Sequence, residues 1–294
     1  MADIIDGKAV AKAMRSELAE EVDALKNNGI EPGLAVILVG DDPASHSYVR
    51  GKEKACASVG IKSKDYRLPA DITQNELLSY INTCNQDPEI HGILVQLPLP
   101  DHIDDQTMIE AILPEKDVDG FHPVSVGKML LGMDTFLSCT PHGILHILKR
   151  SGVQSQGKHV VIVGRSNIVG KPLANMLIQK NELGNATVTI CHTRTADMAY
   201  HTKQADILVA AAGRPNMITQ DMVKPGAVVI DVGVNRVDDP RKKKGYRLCG
   251  DVDFQAVQEV ASKITPVPGG VGPMTITMLL YNTVKSAKQT EKAE

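Results

Sequence analysis

The stretch GKHVVIVGRSNIVGKP, residues 157–172, constrains the fold of this chain more than any other segment. Its residues 160–163 form a continuous β-branched run without polar alternation. Such a run is typical of a parallel strand that is covered on both faces. Gly164 ends the strand, and a helix is predicted after Gly170 because Pro172 suits a first helical turn. Free N–H groups at this helix start predict a phosphate site.

Two known phosphate-binding motifs do not fit the segment. A P-loop has four residues between its glycines and a Ser or Thr after the Lys, whereas five residues separate Gly164 from Gly170, and Pro172 follows Lys171. The spacing is not G-x-G-x-x-G either. The glycines alone also allow the alternative that this segment is a tight turn between strand and helix that binds no ligand.

The second half of the chain repeats strand and helix. Strands are predicted at 159–163, 187–191, 207–210 and 228–232, with helical segments between them. This alternation predicts a doubly wound parallel sheet. Residues 241–244 are basic and are predicted to form the solvated tip of a hairpin.

The first half shows its own α/β pattern. Helices are predicted at 10–25, 44–59 and 74–83, and strands at 34–39, 66–68 and 92–97. A second glycine- and proline-rich loop occupies residues 265–277 and is followed at once by an apolar helix over 274–284. Such a loop could cradle a planar or anionic ligand or could merely connect two domains.

Composition excludes several classes of protein. With 294 residues the chain is long enough for two domains. Lys and Arg total 32 against 35 for Asp and Glu, and aromatic residues make up only 3%, so no nucleic-acid or membrane partner is expected. The five cysteines are scattered without a C-x-x-C pair, which predicts a reducing compartment and no metal site. Without a signal-like or membrane-spanning run, we expect a cytoplasmic protein that acts on small molecules.

The second strand of the predicted sheet indicates which dinucleotide is bound. In this fold that strand normally ends in an acid that binds the ribose 2′-hydroxyl of NAD. Here TVTIC is followed by His192, Thr193 and Arg194, with no acid. Arg194, together with Arg165, can accommodate the 2′-phosphate of NADP, so NADP is predicted over NAD. The alternative that Arg194 is an ordinary surface residue that binds no ligand remains.

Polar residues in the first half are candidates for a catalytic site. Tyr48 and Lys52 are neighbours one turn apart on a predicted helix. Gln96 lies at the carboxyl end of the apolar strand GILVQL, where it is either a satisfied core amide or a site residue. Asp117 and Asp119 beside Gly120 have the composition of a turn.

Several segments together resemble one known family. They are YVRGKEKA (48–55), GILVQLPLP (92–100), PEKDVDGFHP (114–123), GRSNIVGKP (164–172), VIDVGVN (229–235), GDVDF (250–254) and PVPGGVGPMT (266–275). In this order they resemble the signatures of the bifunctional methylenetetrahydrofolate dehydrogenase/cyclohydrolase family, over almost the whole chain. The sequence departs from the family pattern at Ser138, where Pro is common, and at 181–185, which has the look of a small insertion. The insertion puts the placement of Thr193 and Arg194 in doubt.

The resemblance implies an α/β fold with two domains. An N-terminal αβ catalytic domain, residues 1–140, would be completed by a C-terminal helix within 270–294. A Rossmann-like doubly wound NADP-binding domain would span 141–269. The resemblance also implies a homodimer through the cofactor domain.

The implied function is a pair of reactions at one site. Hydride would pass from 5,10-methylenetetrahydrofolate to NADP⁺, and the methenyl product would be hydrolysed to 10-formyltetrahydrofolate. Lys52 would be the acid–base residue, Gln96 its hydrogen-bond partner, Tyr48 a residue that positions the folate, and Asp119 the anchor of the pterin. The folate site would comprise Tyr48, Lys52, Val95, Gln96, Leu97, Asp119, Pro268, Gly269, Gly270, Pro273 and Thr275. The NADP site would comprise Gly164, Arg165, Ser166, Gly170, Thr193, Arg194 and Val234.

Two alternatives remain at this point. A dehydrogenase that does not hydrolyse its product is disfavoured because Lys52 and Gln96 are both present. A silent NADP- or folate-binding module would not need to keep Tyr48, Lys52 and Asp119 together.

Overall fold

The computed structural model describes residues 1–242 and 245–291, in two compact units. The six-stranded unit contains Met1–Ala11 and Thr140–Thr275. The three-stranded unit contains Lys12–Cys139 and the chain from Ile276 on. Lys243 and Lys244, part of the predicted hairpin tip, lie outside the described residues.

The elements follow one another along the chain as strands and helices of ordinary length. The strands are β1 (Asp3–Ile4), β2 (Gly33–Val39), β3 (Lys62–Leu68), β4 (Gly92–Val95), β5 (His159–Val163), β6 (Thr187–Cys191), β7 (Ile207–Ala210), β8 (Val228–Asp231), β9 (Asn235–Asp238), β10 (Tyr246–Cys249) and β11 (Lys263–Ile264). The helices are α1 (Gly7–Asn27), α2 (Pro43–Val59), α3 (Gln74–Gln86), α4 (Asp105–Ala111), α5 (Pro123–Leu130), α6 (Cys139–Arg150), α7 (Gly170–Ile178), α8 (Met198–Thr202), α9 (Phe254–Val257) and α10 (Gly272–Glu291).

The six-stranded unit is built on a parallel sheet in the order β1-β11-β8-β7-β5-β6. β5, β6 and β7 have the predicted bounds, and β8 ends one residue early, at Asp231. β5 lies between β6 and β7, so the chain leaves it to one side and later returns to the other. This reversal of strand order is the switch point at which doubly wound folds bind ligands. The prediction of a doubly wound parallel sheet is confirmed.

The amino-terminal residues extend this same sheet. β1 pairs with β11, and the Asp3 and Ile5 N–H groups donate to Ser262 O and Ile264 O, both at 2.8 Å. Residues 1–11 therefore group with the six-stranded unit, although the sequence placed them in the other domain. Residues 270–275 also group with the six-stranded unit. A strand of two residues carries no periodic pattern that would have predicted its pairing.

The three-stranded unit has a parallel sheet in the order β3-β2-β4. β2 is buried along its whole length, whereas β3 is mostly polar and lies at the edge of the sheet. The prediction for β3 covered only its last residues, because an edge strand needs little apolar sequence. β4 ends at Val95, two residues before the predicted end, although the Gln96 N–H still donates to Ile37 O at 2.8 Å. Beyond it, Pro98 has no N–H to donate.

Helix α10 begins within the predicted second loop. It starts at Gly272, two residues before the predicted start at Met274, and continues to Glu291, beyond the predicted end at Val284. Pro273 lies in the first turn of α10, where no intrahelical hydrogen bond needs its missing N–H. β9 and β10 form an antiparallel hairpin around the undescribed tip. α9 is a single helical turn of four residues.

We expect the pairing of β1 to contribute to stability through Ile5, which is only 4% exposed, while its neighbour Ile4 is 50% exposed. Ile5→Ala should lower the free energy of unfolding by about 2–4 kcal/mol, because it removes buried methyl groups and leaves a cavity. Ile4→Ala is the matched control and should change it by less than about 0.5 kcal/mol. Urea unfolding measures both, and equal losses would contradict a buried role for this segment.

Candidate functional site

Lys52 lies in the middle of α2, a helix that is well defined at both ends. The Asp42 carboxylate accepts from the Ser45 N–H at 2.7 Å, and Gly60 ends the helix in the left-handed conformation with φ 79°. Tyr48 lies one turn before Lys52 and its side chain is 46% exposed. The helix therefore presents a buried amine beside an accessible aromatic ring.

The Lys52 amine is bound by an amide. Lys52 is only 8% exposed, and its Nζ donates to Gln96 Oε1 at 2.9 Å. Gln96 Nε2 in turn donates to Leu97 O at 2.7 Å. Because the Leu97 carbonyl can only accept, it fixes the orientation of the amide and leaves Oε1 to face the amine. Gln96 is thus a satisfied polar residue that orients Lys52.

Asp119 lies in the turn that follows β4 along the chain. Asp117, before it, is buried and its carboxylate accepts from the Phe121 N–H at 3.2 Å and the His122 N–H at 2.9 Å. Gly120, after it, has φ 73°, which glycine adopts without strain. The prediction that Asp117 forms the turn is confirmed, and Asp119 is left half-buried between these two residues.

The pKa values of this group are set by burial. Burial lowers the pKa of Lys52, and the Asp119 carboxylate opposes the shift. Burial raises the pKa of Asp119, and Lys52 and the Cys139 thiol lower it. Burial also raises the pKa of Asp117 to about 6 and that of Cys139 well above its usual range. Lys52 is therefore a desolvated amine with one carboxylate near enough to affect its charge.

The structure brings Lys52, Gln96 and Asp119 together within the three-stranded unit, as predicted. Val95 and Leu97 flank Gln96 at the end of β4. The remaining residues predicted for the folate site belong to the six-stranded unit; they are Pro268, Gly269, Gly270, Pro273 and Thr275.

Close backbone contacts within the six-stranded unit hold the loop that contains Pro268, Gly269 and Gly270. Gly269 has φ 114°, and its carbonyl accepts from the Lys8 N–H at 3.1 Å. A Cβ on Gly270 would lie 2.6 Å from Pro266 O, so no larger residue fits without movement. The hydroxyl groups of Thr275 and Thr140 share a hydrogen bond at 2.9 Å.

The turn after β5 requires both of its glycines. Gly164 has φ 137°, and a Cβ there would lie 2.1 Å from Ala211 O. A Cβ on Gly170 would lie 2.1 Å from Gly164 O. The glycines therefore allow the turn to fold back against the neighbouring strand end.

The first turn of α7 does not present the free N–H groups that the sequence predicted. The Val169 N–H donates to Ser166 Oγ at 3.1 Å, and the Lys171 N–H donates to Ser166 O at 3.1 Å. Pro172 has no N–H. The prediction of a helix-terminus phosphate site is therefore wrong in its donors, because Ser166 already uses them.

Two exposed arginines lie at the same edge of the sheet. β5 and β6 are parallel neighbours with Val163 opposite Cys191, so the loops after them emerge side by side. Arg165 follows β5, and Thr193 and Arg194 follow β6, all of them exposed. The Arg194 N–H donates to His192 Nδ1 at 3.1 Å, which holds the backbone of this loop. Val234, after β8, is 49% exposed.

The segment 181–185 does not disturb this edge. Ser155 Oγ donates to Leu183 O and Gly184 O, both at 2.9 Å, and Asn185 has φ 59°. β6 still begins at Thr187 opposite His159. The extra residues are accommodated before the strand, so the register that places Arg194 beside the β5 loop is kept.

Two buried carboxylates organise the loops after β7 and β8. Asp251 is fully buried and accepts from the N–H groups of Ala212, Gly213 and Arg214 at 2.6–2.9 Å. Asp231 accepts from the Gly233, Asp251 and Val252 N–H groups at 2.9–3.0 Å, and burial raises its pKa to about 6. Sequence reasoning did not assign either one, although both lie in the quoted segments VIDVGVN and GDVDF.

Cys139 and Asn282 were also missed as neighbours of Asp119. The Cys139 thiol interacts with the Asp119 carboxylate, and Asn282 donates to Val118 O at 2.8 Å. The 164 residues that separate Asn282 from Val118 leave no local pattern that would connect them.

Over residues 1–242 and 245–291, no group of His, Cys, Asp and Glu side chains is arranged to hold a metal ion. No helix of the described chain is long and apolar enough to span a membrane.

Family models match both parts of the chain. Residues 5–119 match the catalytic domain of tetrahydrofolate dehydrogenase/cyclohydrolase, and residues 138–291 match its NAD(P)-binding domain. The chain belongs to this family. Lys52 and Gln96 lie in the segment that matches the catalytic domain. Arg165 and Arg194 lie in the segment that matches the NAD(P)-binding domain.

Members of the family are similar to this chain over nearly its full length. The bifunctional protein FolD of Bacillus subtilis is 61% identical over 289 residues, covering 98% of this chain and 99% of the relative. The crystal structure of the bifunctional FolD enzyme of Campylobacter jejuni has a TM-score of 0.93 and 53% identity, and covers 99% of this chain and 100% of that one. The Trypanosoma brucei dehydrogenase-cyclohydrolase, complexed with NADP cofactor and an inhibitor, has a TM-score of 0.93, 43% identity and 99% coverage of both chains.

Proposed function

We propose that this protein oxidises 5,10-methylenetetrahydrofolate with NADP⁺ to 5,10-methenyltetrahydrofolate and hydrolyses that product to 10-formyltetrahydrofolate. The family membership supports both activities. The observation that carries the second activity is the hydrogen bond of 2.9 Å from the buried Lys52 amine to Gln96.

Lys52 is the general base of the hydrolysis in this proposal. The methenyl carbon is a cationic electrophile, so water can attack it once a base takes up the water's proton. A free lysine has a pKa of about 10.4 and is almost fully protonated at neutral pH. Burial lowers the pKa of Lys52 toward the working range, and a bound cationic substrate would lower it further.

Gln96 suits this role because it is uncharged. Its Oε1 accepts from Lys52 and orients the amine, as the Leu97 carbonyl fixes the amide. A carboxylate in the same place would stabilise the ammonium form and weaken the base. After attack, the protonated Lys52 can return its proton to the ring nitrogen that leaves as the C–N bond breaks.

Tyr48 and Asp119 are assigned to binding. Tyr48 presents an exposed ring one turn from Lys52, where it can pack on the folate. Asp119 is a half-buried carboxylate beside Lys52 and can accept hydrogen bonds from the pterin. The residues assigned to folate binding also include Val95 and Leu97 of the three-stranded unit and, in the six-stranded unit, the loop residues Pro268 to Thr275.

The edge of the six-stranded sheet fits NADP. It lies at the switch point after β5, where Gly164 and Gly170 keep the backbone compact and Arg165 and Arg194 supply positive charge. When bound, the nicotinamide ring would accept the hydride. Arg165 and Arg194 would bind the 2′-phosphate, while Ser166, Thr193 and Val234 would contact the rest of the dinucleotide.

The proposal includes a homodimer assembled through the NADP-binding unit and a cytoplasmic location. The homodimer rests on the family resemblance, and the location is consistent with cysteines that are all free and buried. The partners are tetrahydrofolate derivatives, with no nucleic acid or membrane surface.

Lys52→Met should abolish hydrolysis of methenyltetrahydrofolate while the protein still binds folate. Methionine fills a similar volume but cannot accept a proton. Hydrolysis is followed by the loss of methenyl absorbance and corrected for the uncatalysed rate. Lys54→Met, at an exposed position of the same helix, is the control and should keep full activity.

Incubation of the wild-type protein with methylenetetrahydrofolate and NADP⁺ separates the alternatives. NADPH formation with little methenyl accumulation supports two activities at one site. Stoichiometric accumulation of methenyl would indicate a dehydrogenase alone, and no NADPH would indicate a binding module. Full hydrolysis by the Lys52→Met variant would refute the role of Lys52.

Gln96→Glu should move the pH dependence of hydrolysis to higher pH. Neutral Lys52 is the active form, so the rate rises as pH increases through its lowered pKa. A carboxylate at the hydrogen-bonding distance of 2.9 Å would raise that pKa, because it stabilises the ammonium form. The rising limb should therefore shift to higher pH, and the rate at pH 7 should fall.

The control for the charge change is Gln106→Glu, at an exposed position on α4. Its pH profile should match that of the wild type. A Gln96→Glu profile that also matches the wild type would mean that Lys52 does not titrate in the rate-limiting step.

Arg194→Ala and Arg165→Ala should each raise the KM for NADP⁺ by about tenfold or more and leave the KM for NAD⁺ unchanged. Only NADP⁺ carries the 2′-phosphate, and a hydrogen bond to a charged group contributes about 1.5–3 kcal/mol. Arg150→Ala, at the exposed end of α6, is the control. Equal effects on both dinucleotides would assign the arginines elsewhere.

A further inference from the structure

One face of α10 binds the two segments that surround Asp119. Asn282, Lys285 and Ser286 are spaced i, i+3 and i+4, so they share a side of the helix. Ser286 Oγ donates to Glu115 O at 3.0 Å, and Lys285 Nζ donates to Thr135 O at 2.7 Å. Helix α10 thus contacts the turn 114–120 and the segment 134–139 through their carbonyl groups.

Asn282 joins these two segments at Asp119. It is 1% exposed, and its Nδ2 donates to Val118 O at 2.8 Å and to Leu137 O at 3.0 Å. The same nitrogen approaches Cys139 Sγ at 3.8 Å. One amide group has two N–H bonds, and here they reach one carbonyl on each segment.

The residue on the other side of Asp119 is held by the same segment. A Cβ on Gly120 would lie 2.6 Å from both Leu137 C and Ser138 N, so the two backbones are in close contact. The Cys139 thiol donates to Val118 O at 3.4 Å and also interacts with the Asp119 carboxylate. Asp119 is therefore flanked by two residues whose positions depend on residues 137–139, and Asn282 ties those residues to Val118.

From this arrangement we propose that Asn282 is a positioning residue for the folate reaction, acting through Val118 and Leu137 to hold the Asp119 carboxylate where the pterin binds. The inference rests on the proposed function, since it assigns Asn282 a role through Asp119. Loss of the amide removes the N–H donor of Leu137 O, leaves Val118 O with only the weak Cys139 thiol donor, and frees the Asp119 backbone to shift. A shift of that carboxylate weakens folate binding but not dinucleotide binding.

The variant that tests the role is Asn282→Leu, which keeps the branching at Cγ, is somewhat larger, and removes both N–H bonds. We expect the KM for methylenetetrahydrofolate to rise by about tenfold, as for loss of a buried hydrogen bond, with the KM for NADP⁺ unchanged. Asn282→Ser, which retains a donor, should give a smaller rise in the folate KM. If the leucine variant does not fold, Asn282→Ser is used for the test in its place.

Ser286→Ala is the matched control. Ser286 is 4% exposed, lies one turn away on the same helix face and binds the same turn, but at Glu115 O. It should lower the midpoint of thermal unfolding without changing the folate KM. An equal rise in folate KM for Ser286→Ala would mean that any loosening of α10 has this effect, and would overturn the inference.

A double-variant cycle with Asp119→Asn distinguishes positioning from a separate contact. If Asn282 acts through Asp119, adding Asn282→Leu to Asp119→Asn should raise the folate KM less than twofold further. Fully additive effects, or an unchanged folate KM in Asn282→Leu alone, would overturn the inference while the proposed function stands. If Asp119→Asn leaves the folate KM unchanged, the inference fails together with the role proposed for Asp119. If the wild type has no folate-dependent activity, the proposed function itself fails.

Discussion

The removal of the Lys52 amine from water is the constraint on which the catalytic region depends. An amine buried to this extent loses hydration that favours its charged form, so the protein must supply either a counter-charge or a neutral acceptor. The structure supplies both groups. Gln96 is the neutral acceptor and makes the direct hydrogen bond, whereas Asp119 acts only through its charge. Direct pairing with a carboxylate would have kept the amine protonated. In the proposed function, the amide as nearest partner leaves Lys52 available as a base.

In the six-stranded unit, buried carboxylates support the irregular loops after β7 and β8. Asp231 and Asp251 are buried acids whose oxygens accept from successive backbone N–H groups. Each bond satisfies a loop N–H that would otherwise be unpaired away from water. These carboxylates therefore give the loops after β7 and β8 a defined shape without regular secondary structure.

The sequence predicted those elements whose pattern is local. β5, β6 and β7 have the expected bounds because runs rich in β-branched residues and flanked by glycine or polar turns are strong signals. Lys52, Gln96 and Asp119 could be selected because their segments resemble a known family. β1 and most of β3 could not be predicted, since a two-residue strand and a polar edge strand owe their structure to the strands beside them. Asn282 was missed for the same reason, because its partners lie far away along the chain.

The pairing of β1 with β11 also has a consequence for synthesis on the ribosome. Asp3 pairs with Lys263, 260 positions later. At about 5–20 residues per second, roughly 13–50 s pass between the appearance of the two strands. Throughout this interval the sheet edge formed by β11 does not exist, and the segment with Ile4 and Ile5 must wait as exposed apolar chain. During this interval the β1 segment is open to chaperones or to pairing with the wrong strand.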